Sequence, residues 1–206
     1  MRPRVLLDCD GVIADFLTPF LHYVNHFGRT SHTLSEMSKW DLYESFSVPQ
    51  DIRDLVDAKI NEEGFAQTLS LYPGAQDGVA ALQAIADVYV VTSPWSSPTW
   101  NHDRRLWLKK HFDIGGDHLI ATRAKHVCAG DVLIDDKTST LERWNECHPR
   151  GLPIRWAGPN NYATSYVGIT VGNWSETLQL IADYWRVEMG ISKSEGRGPQ
   201  RIWEHK

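Results

Sequence analysis

The fold is decided by the stretch Val5-Leu6-Leu7-Asp8-Cys9-Asp10-Gly11-Val12, in which an apolar run ends abruptly in two acids. Three apolar residues before a Gly turn are typical of a short strand buried inside a parallel sheet. Open α/β sheets bind ligands at the carboxyl ends of their strands. Asp8 and Asp10 would lie at that edge, although Asp and Gly also dominate ordinary turns. Two carboxylates so close repel each other, and a divalent cation such as Mg²⁺, or a proton on one of them, is the usual remedy.

A second acidic pair occurs far downstream. Val132-Leu133-Ile134 is typical of another short buried strand, and Asp135 and Asp136 follow it directly. Between the two pairs, a further predicted strand ends in the hydroxyls of Thr92 and Ser93. Because parallel strands end at the same edge of a sheet, these acids and hydroxyls would converge there. The repetition favours a functional site over two unrelated acidic turns.

At these residues the chain resembles the haloacid dehalogenase superfamily of aspartate-nucleophile phosphatases. The four short motifs of that superfamily are matched by Asp8-x-Asp10-Gly11-Val12, Thr92-Ser93, Lys125 and Asp135-Asp136. Within the superfamily, the amino-acid sequence around these motifs is most similar to that of the 5'(3')-deoxyribonucleotidases. The matching segments are Asp8-Cys-Asp-Gly-Val-Ile-Ala-Asp15-Phe16, Thr92-Ser93-Pro94, Thr122-Arg123-x-Lys125 and Leu133-Ile134-Asp135-Asp136-Lys137.

The resemblance implies a Mg²⁺-dependent phosphoric monoester hydrolase that acts through an aspartyl-phosphate intermediate. Asp8 would be the nucleophile, and Asp10 would protonate the leaving group and then activate water. The Asp8 carboxylate, the Asp10 backbone carbonyl and Asp135 would hold the metal, with Asp136 close by or bound through water. The implied substrate is a deoxyribonucleoside monophosphate. Another small phosphorylated metabolite, or a catalytically silent binding protein on the same fold, is the alternative.

Phosphate binding would involve hydroxyls and an ammonium group. Thr92 or Ser93 would hydrogen-bond a phosphoryl oxygen, although a Thr-Ser pair after a strand also caps turns. Lys125 would offset the negative charge that builds during attack, and a solvated surface lysine is the alternative. Lys137 is predicted to pair with a motif carboxylate.

Three arginines are further candidates for contacts with phosphate or with a cap over the active site, but a surface position is the stronger expectation for each. They are Arg123, Arg104 and Arg105.

Aromatic residues are the candidates for substrate binding. By resemblance, Phe16 aligns with an aromatic that lines the base pocket of deoxyribonucleotidases, and Trp40 lies near where that family places others. Trp95, just after Pro94, would close the same pocket. An aromatic ring can stack on any nucleobase. Core packing is the alternative for all three, and Phe16 in particular lies on the apolar stripe of its own predicted helix.

The order of elements predicts a Rossmann-like α/β fold, with helices on both faces of a parallel sheet. Helices are predicted over residues 14–27, 49–62, 75–86, 101–112, 139–145 and 174–187, and later strands over 88–92, 119–121, 132–134, 153–156 and 167–171. The helix over 101–112 should turn Leu106 and Trp107 inward. No strand is predicted between 14 and 72, so residues 16–72 would form a small helical insertion after the first strand, and the resemblance implies that this insertion is a cap over the active site. The core would comprise 1–15 and 73–189, with 190–206 as a flexible tail.

Composition narrows the class of protein. A chain of 206 residues is long enough for one core with an insertion. Its formal net charge of −5 argues against binding to polymeric nucleic acid. Three cysteines without a Cys-x-x-Cys spacing indicate neither a disulfide framework nor a zinc site. With no signal-peptide pattern and no run of 18 apolar residues, we expect a cytoplasmic protein without a membrane partner. A homodimer is left open.

Overall fold

A six-stranded parallel sheet forms the centre of the structure, a computed structural model that describes residues 2–159, 161 and 165–189. The strands in these residues are β1 (Arg4–Leu7), β2 (Ala14–Asp15), β3 (Ser70–Leu71), β4 (Asp87–Thr92), β5 (Leu119–Ala121), β6 (Val132–Asp135), β7 (Leu152–Trp156) and β8 (Ile169–Val171). The sheet order is β5-β4-β1-β6-β7-β8. Strand β1 lies in the interior, with Val5 paired to Val88 of β4 and to Val132 of β6. The predicted α/β fold class is confirmed.

The α-helices described are α1 (Leu17–Gly28), α2 (Leu42–Ser45), α3 (Gln50–Ile60), α4 (Ala75–Ile85), α5 (Trp100–Phe112), α6 (Thr138–Cys147) and α7 (Trp174–Glu188). Every predicted helix and strand has a counterpart, and the ends differ by three residues or fewer. Such differences are usual at element termini, because hydrogen bonding there is incomplete.

The alternation of side chains along β1 explains why both faces of the sheet are covered. Val5 and Leu7 pack into one cluster with side chains of α4, α5 and α7. Leu6 points the other way, against Trp144 of α6. Successive strand residues face opposite sides, so an entirely apolar strand needs helices on both. Because β1 is buried on both faces, its carboxyl end and the Asp8 that follows it are held at one edge of the sheet.

The prediction that no strand occurs between residues 14 and 72 is wrong. Ala14–Asp15 pairs antiparallel with Ser70–Leu71, and the helical segment α1–α3 lies between these strands. Each strand is two residues long, which is too short to show a period of two in the sequence. The pair brings the two ends of the helical segment together. The division into a core and a cap of residues 16–72 stays a prediction.

The predicted flexible tail, residues 190–206, lies outside the described residues. In the part of the chain that the structure describes, every helix is too short or too polar to cross a bilayer.

Candidate active site

Two neighbouring strands place the acids of the site. Asp8 directly follows β1 and Asp135 ends β6, and the Asp8 N–H donates to the Ile134 carbonyl at 2.9 Å. This hydrogen bond continues the ladder between the two strands. As a result, carboxylate oxygens of Asp8, Asp135 and Asp136 lie within 4.8 Å of one another, and all three residues are buried. The sheet therefore brings together acids that lie far apart in the sequence.

Lys125 lies among these acids. It begins a 3-10 turn, Lys125–Val127, after β5. Its Nζ lies 2.7 Å from Asp8 Oδ1 and donates to Asp135 Oδ2 at 2.8 Å. With 4% of its surface exposed, Lys125 is not a solvated surface lysine. The structure thus places the predicted ammonium group against the predicted nucleophile.

Burial and neighbouring charges shift the pKa values of this group. Burial raises the pKa of Asp8 to about 7, since the nearby Lys125 ammonium only partly counters burial and the Asp135 carboxylate adds to it. Burial alone would lower the pKa of Lys125, but the Asp135 and Asp8 carboxylates outweigh burial and raise that pKa above its ordinary value. Lys125 is therefore held as an ammonium group.

The donor set fits a hard divalent cation. Three buried carboxylates face one ammonium group, so the cluster has an excess of negative charge and offers only oxygen ligands. Such a set suits Mg²⁺. The side chain of Asp10 is not part of this cluster, and the role of its backbone carbonyl as a metal ligand stays a prediction.

The turn after β1 requires glycine at position 11. Gly11 has a φ of +85°, and its N–H donates to the Ala14 carbonyl at 3.0 Å. A Cβ at this position would come within 1.9 Å of Asp136 Oδ2. Both the backbone conformation and the approach of the carboxylate exclude a larger residue.

Gly11→Ala is therefore expected to lower both stability and phosphatase activity. The positive φ should cost about 1–3 kcal/mol, and the displaced Asp136 should lower activity further. Gly64→Ala is a matched control, since Gly64 has a φ of +84° but nothing within 4 Å of its added Cβ. Thermal unfolding should show a loss in both variants, whereas phosphate release should fall only for Gly11→Ala. Equal activity in the two variants would show that displacing Asp136 does not lower activity.

The carboxylate of Asp10 is held by a buried arginine. Arg104 Nη2 donates to Asp10 Oδ1 at 2.7 Å, and Arg104 is fully buried. Its guanidinium lies 5.1 Å from the ring of Trp100 and 5.4 Å from that of Trp107. The expectation of a surface position is wrong for Arg104. A signal was present in the sequence, because Trp100, Arg104 and Trp107 share one face at helical spacing.

The prediction that Leu106 points inward is also wrong, since Leu106 is 41% exposed. Asp103, which the sequence did not single out, is buried instead. It accepts hydrogen bonds from the Gly64 N–H at 2.9 Å, Gln67 Nε2 at 2.7 Å and Thr99 Oγ1 at 2.9 Å. Helix α5 therefore buries two adjacent charged side chains, one paired with Asp10 and one bound to Gly64 and Gln67, between α3 and β3.

The two predicted phosphate-binding hydroxyls lie in different places. Ser93 is exposed and lines the cavity above the acids. Thr92 is buried and does not line it, and among the described residues its Oγ1 has no hydrogen-bond partner. Arg123 is exposed and also lines the cavity. A hydroxyl and a guanidinium are thus available near the acids.

A cavity of about 490 Å³ opens between the sheet edge and the helical segment. Phe16 and Trp95 both line it, with ring centroids 5.3 Å apart. Aromatic rings that the sequence did not predict complete this wall, namely Phe20, Tyr43 and Trp100. The cavity therefore has acids and cations at one end and an aromatic wall along its side.

Trp40 lines the cavity from the helical segment, and Lys137 Nζ lies 5.3 Å from its ring centroid. The predicted pairing of the Lys137 side chain with a motif carboxylate does not occur among the described residues. Its backbone N–H donates to Asp135 Oδ1 at 2.8 Å instead. Lys137 thus orients one metal-ligand candidate through the main chain and contacts Trp40 through its side chain.

Asn161 supports the second acidic pair and was not predicted. It is buried, and its Nδ2 donates to the carbonyls of Asp136 at 2.8 Å and Trp156 at 2.7 Å. Asn161 lies in a loop after β7, where no local pattern marks it.

Comparison with known proteins agrees with this geometry. The family model described as "5' nucleotidase, deoxy (Pyrimidine), cytosolic type C protein" matches residues 2–186. The cytosolic-type 5'(3')-deoxyribonucleotidase of Homo sapiens is 33% identical over 170 residues, covering 73% of this chain and 84% of that protein.

Solved structures share the fold. A HAD family hydrolase from Deinococcus radiodurans aligns with a TM-score of 0.62 and 14% identity over 89% of this chain and 96% of that one. A haloacid dehalogenase-like family hydrolase from Streptococcus pneumoniae aligns with a TM-score of 0.51 and 13% identity over 87% and 98%. The family resemblance seen in the sequence is confirmed. The chain belongs to the cytosolic type C 5'-nucleotidase family of the haloacid dehalogenase superfamily, and it is a phosphoric monoester hydrolase with an aspartate nucleophile.

Proposed function

We propose that the chain hydrolyses deoxyribonucleoside monophosphates in a Mg²⁺-dependent reaction, through an aspartyl-phosphate formed on Asp8. The observation that carries this proposal is the convergence of Asp8, Asp135, Asp136 and Lys125 at one end of a cavity with an aromatic wall. Phosphoryl transfer depends on positioning and on neutralising charge, and this end of the cavity supplies both.

Asp8 is the nucleophile in this proposal. Its carboxylate oxygen attacks phosphorus, and the Lys125 ammonium at 2.7 Å offsets the negative charge that gathers there. Ser93, which lines the cavity, donates to a phosphoryl oxygen, whereas Thr92, the last residue of β4, is buried. The backbone hydrogen bond from Asp8 to Ile134 keeps the nucleophile in line with β6.

Asp8, Asp135, Asp136 and the Asp10 backbone carbonyl would hold Mg²⁺. When bound, the ion neutralises phosphoryl charge and favours the ionised form of the carboxylates around it. The Lys137 N–H orients Asp135, and Asn161 fixes the main chain at Asp136. Hydrogen bonds from Lys137 and Asn161 thus hold Asp135 and Asp136 in place.

Asp10 transfers the protons in this proposal. It protonates the leaving oxygen of the ester and, once the nucleoside has left, accepts a proton from the water that attacks the aspartyl-phosphate. Asp10 lines the cavity and its side chain is 25% exposed, so it is accessible to both a leaving group and a water molecule.

The aromatic wall binds the nucleobase. Phe16 and Trp95 already contact each other, so a base stacks on the outer surface of the pair and is not sandwiched between them. Base–aromatic stacking contributes about 1–3 kcal/mol per base. Trp40 also lines the cavity. We further propose that ribonucleotides bind less well, as the resemblance to the deoxyribonucleotidases implies.

A panel of phosphate monoesters tests this proposal. We expect dUMP and dTMP to give the highest kcat/KM, UMP a lower one, and glucose 6-phosphate the lowest. EDTA should lower the rate on the order of 10²–10³-fold, since metal ions contribute several kcal/mol to such reactions, and added Mg²⁺ should restore it. Activity that ignores EDTA would exclude the proposed metal. Equal turnover of dUMP and UMP would exclude deoxyribose selectivity, and equal turnover of all esters would indicate a general phosphatase.

We also propose a cytoplasmic location, which fits the free cysteines Cys9, Cys128 and Cys147. Nucleoside monophosphates are produced and consumed in that compartment.

A further inference from the structure

We propose that Arg104 is a positioning residue for Asp10, which it holds so that Oδ2 is the oxygen that exchanges protons with substrate and water. This inference rests on the proposed function, because it concerns the proton transfers of the same site. It assigns a reaction-specific role to a residue that does not line the cavity.

The contact between the two side chains determines which carboxyl oxygen can carry a proton. Arg104 Nη2 donates to Asp10 Oδ1 at 2.7 Å. A guanidinium has donors only and does not lose its proton in proteins, so Oδ1 cannot carry a hydrogen toward it. Whenever the Asp10 carboxyl group carries a proton, that proton must therefore lie on Oδ2. Since Oδ1 is turned to the buried Arg104, Oδ2 is the oxygen left for the cavity that Asp10 lines.

Arg104 is itself firmly held. Trp100 and Trp107 lie beside its guanidinium at 5.1 and 5.4 Å, and Trp107 Nε1 donates to the Leu69 carbonyl at 2.8 Å. The preceding residue, Asp103, makes three hydrogen bonds of its own. Because the donor is fixed before substrate arrives, the Asp10 carboxyl group needs no reorganisation during the reaction.

The pair is not explained by stability alone. A fully buried arginine must be desolvated, and buried ion pairs are often no more stable than apolar side chains of similar volume. Among the described residues, Nε and Nη1 of Arg104 also lack hydrogen-bond partners. Placing this charge behind Asp10 costs folding free energy, which is expected where a residue is kept for its action at a site.

The proton transfers balance with Arg104 unchanged throughout. As an Asp8 oxygen bonds to phosphorus, the ester P–O bond breaks, and the leaving oxygen takes its electron pair and the proton from Asp10 Oδ2. The Asp10 carboxylate left behind remains bound to Arg104. Water then attacks phosphorus and gives a proton to Oδ2, the bond from Asp8 to phosphorus breaks, and phosphate leaves. Asp8 is again a carboxylate, and the proton given up in the first step has returned to Asp10 Oδ2.

The test compares two esters that differ in how much their leaving group needs a proton. The leaving alkoxide of dUMP is strongly basic, whereas 4-nitrophenolate leaves readily without protonation. For Arg104→Met we expect kcat/KM with dUMP to fall on the order of 10²-fold, and that with 4-nitrophenyl phosphate to fall less than about 10-fold. Arg104→Lys should recover part of the dUMP activity. Lys110→Met, which removes a positive charge from the exposed side of the same helix, should leave both esters unaffected.

Each outcome decides the matter. An equal loss with both esters would mean that Arg104 acts only on the fold and would overturn the inference, as would no loss with either. Should thermal unfolding show that Arg104→Met does not fold, Arg104→Lys is measured alone, and equal losses there overturn it too. If the unaltered enzyme hydrolyses neither ester, the proposed function fails. If it hydrolyses both and the variants show no difference between esters, only this inference fails.

Discussion

Replacing Asp8 with asparagine is expected to lower kcat for dUMP on the order of 10⁴–10⁶-fold, as the loss of a nucleophile does in other hydrolases. The amide cannot attack phosphorus, and it removes the carboxylate that faces Lys125 and Asp135. Phosphate release measures the loss. Mass spectrometry of acid-quenched enzyme should detect a phosphoryl adduct in the unaltered chain and none in the variant.

The folding stability of Asp8→Asn separates loss of chemistry from loss of structure. Burial raises the pKa of Asp8 to about 7. A carboxyl group whose pKa is higher in the folded than in the unfolded state lowers the stability of the folded protein as pH rises above its unfolded-state pKa of about 3.9. Without added metal at pH 7.5, the variant should therefore unfold at the same temperature as the unaltered chain or higher. Asp117→Asn, at an exposed acid, is the control for activity. A stable Asp8→Asn variant with normal turnover would refute the proposed nucleophile.

Asp10→Asn is expected to lower kcat for dUMP by about 10²–10⁴-fold, the usual contribution of a general acid or base. The amide can neither protonate the leaving alkoxide nor deprotonate water. With 4-nitrophenyl phosphate the first step needs little protonation, so nitrophenolate should appear in a burst while the second step is slow. Rapid mixing measures the burst, and acid quenching should show the accumulated phosphoenzyme.

The same measurement relates Asp10 to Arg104. Both Asp10→Asn and Arg104→Met should discriminate between the two esters in the same direction, with a smaller effect for the arginine. If Asp10→Asn slowed both esters equally and gave no burst, Asp10 would not transfer protons. The Asp117→Asn control should match the unaltered enzyme with both esters.

The central strands and their acids could be predicted because their signals are local. Val5 to Leu7 and Val132 to Ile134 are apolar throughout, which is how a strand buried on both faces is composed. The end of such a strand fixes where Asp8 and Asp135 emerge. The roles of these acids came from the family resemblance. The comparisons confirm the family, while the assignment of roles to single residues stays a prediction.

Contacts between elements far apart in the chain could not be predicted from the sequence. The partner of Arg104 is Asp10, 94 residues away, and a charged residue is expected at the surface unless that partner is known. Asp103 and Asn161 are buried for similar reasons, since each binds groups supplied by another part of the fold. The two-residue strands β2 and β3 were not predicted, because their pairing and not their composition defines them.

The hydrogen bond from Asp8 to Ile134 has a consequence for how the enzyme matures. It can form only once β6, which carries Ile134, has been synthesised. A nascent chain that stops at β5 carries Asp8, Thr92 and Ser93 but has no neighbour for them on one side of β1. A chain that ends after β5 also lacks Asp135 and Asp136, so we expect it not to hydrolyse phosphate esters.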